Sequence, residues 1–185
     1  MEIFDIGTGK IGVSDAIAQP PPDGVDALLV AEPMLREVVL DREIQGLTAF
    51  AADVAALSAR CDYPILCGCR TRYRTVRHVS VLTFAGGRLL DIADRTVNLD
   101  GGNYSEGDSI KVLRLKKFRL GLLVDTDVLL AENWKRLAAQ CDAVACIALR
   151  PSDADFAYIP TLSSLFGLPY TAAFSDGDIL WGTPQ

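Results

Sequence analysis

Three carboxylates sit where apolar runs of strand length give out. Glu32 ends the run LLVAE, and Asp125 and Asp127 follow the run GLLV at 121–124, just ahead of the helix-like segment AENWKRLAAQCD. A carboxylate at a strand end has several uses. Glu32 and Asp125, if close together, would push their pKa values apart and work as an acid–base pair. With Asp127 they would suit a hard cation such as magnesium or calcium, although 125 and 127 share a side only if the strand continues through them. Capping the helix that follows is the simpler role for Asp125.

The basic stretch RTRYRTVR sets Arg70, Arg72 and Arg74, with Arg77, around Tyr73. Guanidinium forks suit carboxylate or phosphate, which makes these arginines candidates for binding a small anionic ligand. Charges that discourage pairing at a strand edge are the plainer reading. Cys67 and Cys69 in CGCR would begin a thiolate metal site only with further ligands. A tetrahedral zinc needs about four, and the chain has one histidine and no second closely spaced cysteine pair. Small buried strand residues are therefore expected there. His78 is expected as a solvent-facing or hydrogen-bonded strand residue rather than half of a Cys–His couple. GTGKIG at 7–12 lacks the preceding strand and the hydroxyl residue after its lysine that a phosphate loop requires, so it reads as a turn. No metal and no cofactor are expected.

The elements that must position these residues alternate between strand and helix signals. VDALLVAE, YPILCGCRTRY and CDAVACIAL are buried strands. RHVSVLTFAGGRLLDIADR reads as a hairpin across Gly86-Gly87, a dipeptide that tolerates positive φ. SIKVLRLKKFRLGLLVDT is an edge or hairpin strand leading into a buried one. Residues 42–60 carry Ile44, Leu47, Phe50, Ala51, Val54 and Leu57 at helical spacing, and Leu130, Trp134, Leu137 and Ala138 make a second stripe. A short helix and a last strand are expected between Phe156 and Asp176, and a hairpin across Gly7-Thr8-Gly9 near the start. The pattern predicts an α/β (α+β layered) sandwich with mixed sheets.

With 185 residues, half of them apolar, the chain is expected to be one soluble domain over 1–185. A net charge of −6 offers no general attraction to nucleic acid or anionic lipid. No nucleic acid and no membrane partner is expected. The first residues lack a basic start and apolar run, no segment reaches the roughly 20 apolar residues of a bilayer span, and the five cysteines suit reduced thiols. A cytoplasmic location is expected.

The order of these segments resembles the carbon–nitrogen hydrolase, or nitrilase, family over roughly residues 25–180. The likeness runs through LLVAEP, a helix, PILCGC, the Gly-Gly hairpin, a loop ending YSEGDSIKVL, and FRLGLLVDTD followed by a helix and CDAVACIAL. It implies a nitrilase-like α-β-β-α sandwich, here shortened at both ends, and a homodimer or larger assembly to which the helix after Asp125 contributes. It also implies a site. The family attacks an amide or nitrile carbon with a cysteine, uses a glutamate as general base and acid, and stabilises the anionic intermediate with a lysine.

Glu32 matches the glutamate. DRTVNL, set against the family's basic segment, puts Thr96 at the lysine position, with Arg95 expected on the opposite face by strand alternation. GLLVDTD puts Asp125 at the cysteine position, and a carboxylate attacking an unactivated amide would give an anhydride less stable than its substrate. The favoured expectation is a non-catalytic nitrilase-like protein with a binding, regulatory or assembly role. The alternative is an active hydrolase of amide-type C–N bonds that uses Glu32 and other residues.

Overall fold

Alternating apolar residues build two sheets whose inner faces meet. The structure, a computed structural model, describes residues 1–14, 17, 21–31, 36–44, 49–99, 101–149 and 153–184. Strands β1 (Glu2–Asp5), β2 (Lys10–Ser14), β3 (Ala27–Val30), β5 (Ile65–Tyr73), β6 (Val76–Ala85) and β7 (Arg88–Asp94) lie side by side in that order. β4 (Glu37–Val39) pairs with the far half of β5. β2, β3 and β5 run parallel, as does β4 to β5, and the β1–β2, β5–β6 and β6–β7 pairings are antiparallel. In the second sheet β9 (Arg119–Val124), β10 (Ala143–Ala148) and β11 (Tyr170–Phe174) are parallel. β8 (Lys111–Arg114) and β12 (Ile179–Gly182) close its edges antiparallel.

The faces sort by residue parity, as the pleat requires. Along β9, Leu120, Leu122 and Val124 enter the core between the sheets with Leu29, Leu66, Val79 and Val81 of the first sheet. Leu123 faces the other way, onto Trp134 and Leu137 of α3 (Ala131–Ala138) and Ile159 and Leu162 of α4 (Asp153–Phe166). On the far side of the first sheet, Leu28, Ile65, Cys67, Cys69 and Leu82 pack against Val54 and Leu57 of α2 (Ala49–Ser58). The molecule is thus the expected layered α-β-β-α sandwich.

Several expectations are refined. The helix expected over 42–60 is described as α1 (Leu40–Ile44) and α2, with 45–48 outside the described residues. Asn133 rather than Ala138 joins Trp134 and Leu137 on the buried side of α3, since Ala138 is exposed. The helix expected to be short is 14 residues long and contains Pro160, and β12 follows the strand expected to be last. The hairpins form as expected: Gly86 and Gly87 take φ of 56° and 80°, and β1 pairs with β2 across the Gly7–Gly9 turn. GTGKIG is therefore a turn and strand start. All five cysteines are free thiols.

Candidate functional site

β9 ends at Val124 because the next residue leaves extended geometry: Asp125 has φ of 53°. Aspartate tolerates this left-handed region better than most residues, through its short polar side chain. The chain then runs through a 3-10 turn, Asp125–Leu129. Strand alternation stops there, and Asp125 and Asp127 both turn their carboxylates into the interior, where they are 6% and 1% exposed.

Each carboxylate meets the loop that follows β7. Asp125 Oδ2 accepts from Arg95 Nη1 at 2.7 Å, and its Oδ1 accepts from the Leu149 N–H at 3.2 Å. Asp127 Oδ1 accepts from the Thr96 N–H at 3.0 Å, the Thr96 hydroxyl at 2.9 Å and the Val97 N–H at 3.1 Å, and Oδ2 shares the Thr96 N–H at 3.0 Å. The turn is locked in return: Thr126 donates to the Val97 carbonyl, Asn133 to that of Asp127 and the Trp134 indole to that of Val128. Burial pushes the Asp127 carboxyl up to about 6, against the opposing pull of the Thr96 and Val97 donors.

Arg95 is the residue that the sequence pattern misplaced. It was expected to face away from Asp125, yet its guanidinium, 1% exposed, pairs with it. β7 ends at Asp94, so Arg95 lies on the loop and strand alternation does not apply. Its Nη2 donates to Asn98 Oδ1, and Asn98 Nδ2 holds the Gly102 and Tyr104 carbonyls. Thr96, matched to the lysine position, is instead bonded to Asp127. Among the described residues the Asp125 side chain accepts from Arg95 and Leu149 rather than from a helix N-terminus, and no group of three acidic, histidine or cysteine residues is gathered to hold a metal ion.

The arginine candidates divide. Arg70 lies 5.9 Å from the centroid of the Tyr104 ring and Arg95 lies 6.0 Å from the same centroid, so Arg70 borders the Asp125 cluster. Arg72 is engaged by Glu37 at 2.9 Å, and Arg74 sits over Tyr73 in the β5–β6 turn. Glu32 lies outside the described residues. His78 is a hydrogen-bonded strand histidine, its Nδ1 3.0 Å from the Ser105 carbonyl. Cys67 and Cys69 are small buried strand residues. Burial pushes the Cys67 thiol up to about 12 and that of Cys141 to about 11. It also raises Cys146 well above the ordinary range, with Asp125 and Asp127 adding to the shift. Among the described residues no helix is long and apolar enough to cross a membrane.

Two sheets back to back between helical layers are the architecture found in solved structures of nitrilase-superfamily proteins, and the chain resembles them in fold. It superposes on Saccharomyces cerevisiae Nit3, a member of branch 10 of the nitrilase superfamily, with a TM-score of 0.67 at 10% identity, covering 84% of this chain and 63% of that one. A mutant of the Nesterenkonia AN1 amidase from the nitrilase superfamily gives 0.65 at 17% identity, covering 82% and 63%. A carbon–nitrogen hydrolase from Helicobacter pylori G27 gives 0.64 at 15%, covering 81% and 61%. The chain therefore spans less than two thirds of the length of these structures. No protein-family model and no curated protein matches the sequence.

Proposed function

We propose that this chain is a non-catalytic nitrilase-like protein with a binding, regulatory or assembly role. The observation that carries this reading is the Asp125 carboxylate, at the strand end matched to the family's cysteine, with Arg95 and the Leu149 N–H on its two oxygens. A carboxylate so held is a poor nucleophile toward an amide, because the product would be an anhydride. By contrast, one solved form of the Nesterenkonia amidase carries acrylamide added at its active site cysteine. The raised pKa values of Cys67, Cys141 and Cys146 leave them as unreactive thiols. Assembly as a homodimer belongs to the same reading, supported by the exposed Tyr158 and Leu165 on α4, and light scattering tests it.

Hydrolysis of a panel of amides and nitriles by wild type, Asp125→Cys and Asp125→Cys/Arg95→Lys tests the reading. Wild type is expected to be inert, and the double variant, which restores a thiol beside a lysine, is the one expected to gain turnover. Wild-type turnover that disappears in Glu32→Gln would overturn the proposal in favour of an active C–N hydrolase.

A further inference from the structure

The inner face of β5 ends on a charge. Leu66 faces the core between the sheets, and alternation puts Gly68 and Arg70 on the same side, opposite Cys67 and Cys69, which pack toward α2. Val79, the register partner of Arg70 on β6, lies in that core as well. Arg70 therefore brings a half-buried side chain to the end of the interior where Tyr104 lies, with its guanidinium carbon 5.9 Å from the centroid of that ring. Among the described residues the Arg70 guanidinium has no ion-pair or hydrogen-bond partner. Its Nε is sealed from solvent, whereas the two terminal nitrogens, equally unbonded, keep accessible surface.

The acids nearby are already engaged. Arg95 lies 6.0 Å from the same ring centroid, but Asp125 matches its charge at 2.7 Å, and the other Asp125 oxygen accepts from the Leu149 N–H. Arg72 and Arg77 share Glu37. Of these four arginines, Arg70 alone is left without an acid among the described residues. Withdrawing a cation from water without a counter-charge is costly, so its presence calls for an explanation. The ring that backs it is fixed from both sides. Arg95 Nη2 donates to Asn98 Oδ1 at 2.8 Å, Asn98 Nδ2 donates to the Tyr104 carbonyl at 3.1 Å, and the Ser105 N–H donates to the Arg77 carbonyl at 2.7 Å. A guanidinium held against such a ring loses less freedom when it binds a ligand.

We propose that Arg70 binds a small monocarboxylate beside the Arg95–Asp125 pair, the two carboxylate oxygens accepting from its terminal nitrogens. With Nε sealed, the open edge of the guanidinium is its pair of terminal groups, whose parallel N–H bonds match the two oxygens of one carboxylate. One unpaired cation balances one negative charge, whereas a phosphate dianion would leave charge unmatched in a half-buried setting. The inference rests on the reading of the chain as a binding rather than a hydrolytic protein, and it names the class of ligand.

Titration of the full chain with benzoate and butyrate, beside benzamide, butyramide and inorganic phosphate, tests this by calorimetry and by proton NMR of the ligands. At least one acid is expected to saturate in the millimolar range or below and to bind about tenfold or more tightly than its amide. Arg70→Gln should abolish that preference. Because only the contact with the ring is lost, it should lower the ligand-free melting temperature by no more than about 3 °C. Amides that bind as well as the acids, phosphate that binds more tightly than either acid, a preference that survives Arg70→Gln, a larger fall in ligand-free melting temperature, or no saturation by about 10 mM would overturn the proposal. Conversion of benzamide to benzoate in the NMR spectra would instead overturn the non-catalytic reading, so the two failures are told apart.

Discussion

Arg95 Nη1 donates to Asp125 Oδ2 across 2.7 Å, and the two residues come from different sheets, Arg95 from the loop after β7 and Asp125 from the turn after β9. The pair is a polar bridge across the sandwich. Two desolvated ions need not stabilise a fold on balance, but removing one strands the other in low dielectric. Arg95→Met is expected to cost about 3–5 kcal/mol. Asp125→Asn should cost less, since asparagine tolerates the positive φ and keeps one acceptor. The double variant should recover part of the loss. Urea midpoints of the four proteins measure the coupling, and simple additivity would mean that the two groups do not act as a pair.

Asp127 gives the fold a pH dependence of definite sign. Its carboxyl is raised from 3.8 to about 6, first by burial. Between about pH 4 and 6 the native protein therefore holds a proton that the unfolded chain has released, and stability falls as pH rises through that window, by about 3 kcal/mol in all. Asp142, held below its ordinary range first by the Arg119 side-chain hydrogen bond, loses its contribution only at lower pH. Denaturant unfolding at pH 4.5 and 7 should show wild type losing stability across the window. Asp127→Asn should be weaker at pH 4.5 but much flatter between the two. Equal slopes for the two proteins would remove Asp127 as the source.

Among the described residues Arg74 is the other non-glycine with a positive φ, 55°, and it forms with Thr75 the two-residue turn between Tyr73 and Val76. Such turns favour glycine at the first position. Its side chain is exposed and lies over Tyr73, while the contact from Arg72 is to the Arg74 backbone carbonyl, which any residue supplies. Arg74→Gly should raise stability by about 0.5 kcal/mol, the relief of left-handed strain exceeding the entropy lost by glycine. A lower melting temperature would show that the Arg74 side chain stabilises the turn.

Apolar runs and turn chemistry made the scaffold legible. The all-apolar end of FRLGLLV marked β9 as a buried strand, which the structure sets between two cores, and Gly86-Gly87 announced its hairpin. Strand parity failed at Arg95, one residue beyond the end of β7, where the chain leaves the sheet and a contact spanning 30 residues decides where the side chain goes. Asp125 was conspicuous as a strand-end acid, but its φ and its guanidinium partner depend on tertiary packing. β12 was missed because Ile179–Gly182 is four half-exposed or exposed residues with little apolar contrast.

Gly121 has a packing role that the apolar run alone does not disclose. On β9 it faces α3, and a Cβ placed there would stand 2.7 Å from Leu137 Cδ2 and 2.9 Å from Cys141 Sγ. Real carbon contacts are about 3.5–4 Å, so Gly121→Ala must push α3 outward or force Leu137 off its rotamer. The expected cost is about 1–3 kcal/mol. The displacement would also reach Asp127, because Asn133 on α3 holds the Asp127 carbonyl at 3.0 Å. Gly121→Ala should therefore lower the melting temperature and, through the turn, perturb the Thr96 and Val97 amide resonances. Adding Leu137→Val should restore much of both by making room. Loss of stability with those amides unmoved would confine the role of Gly121 to the helix layer and leave the Asp125–Leu129 turn independent of it.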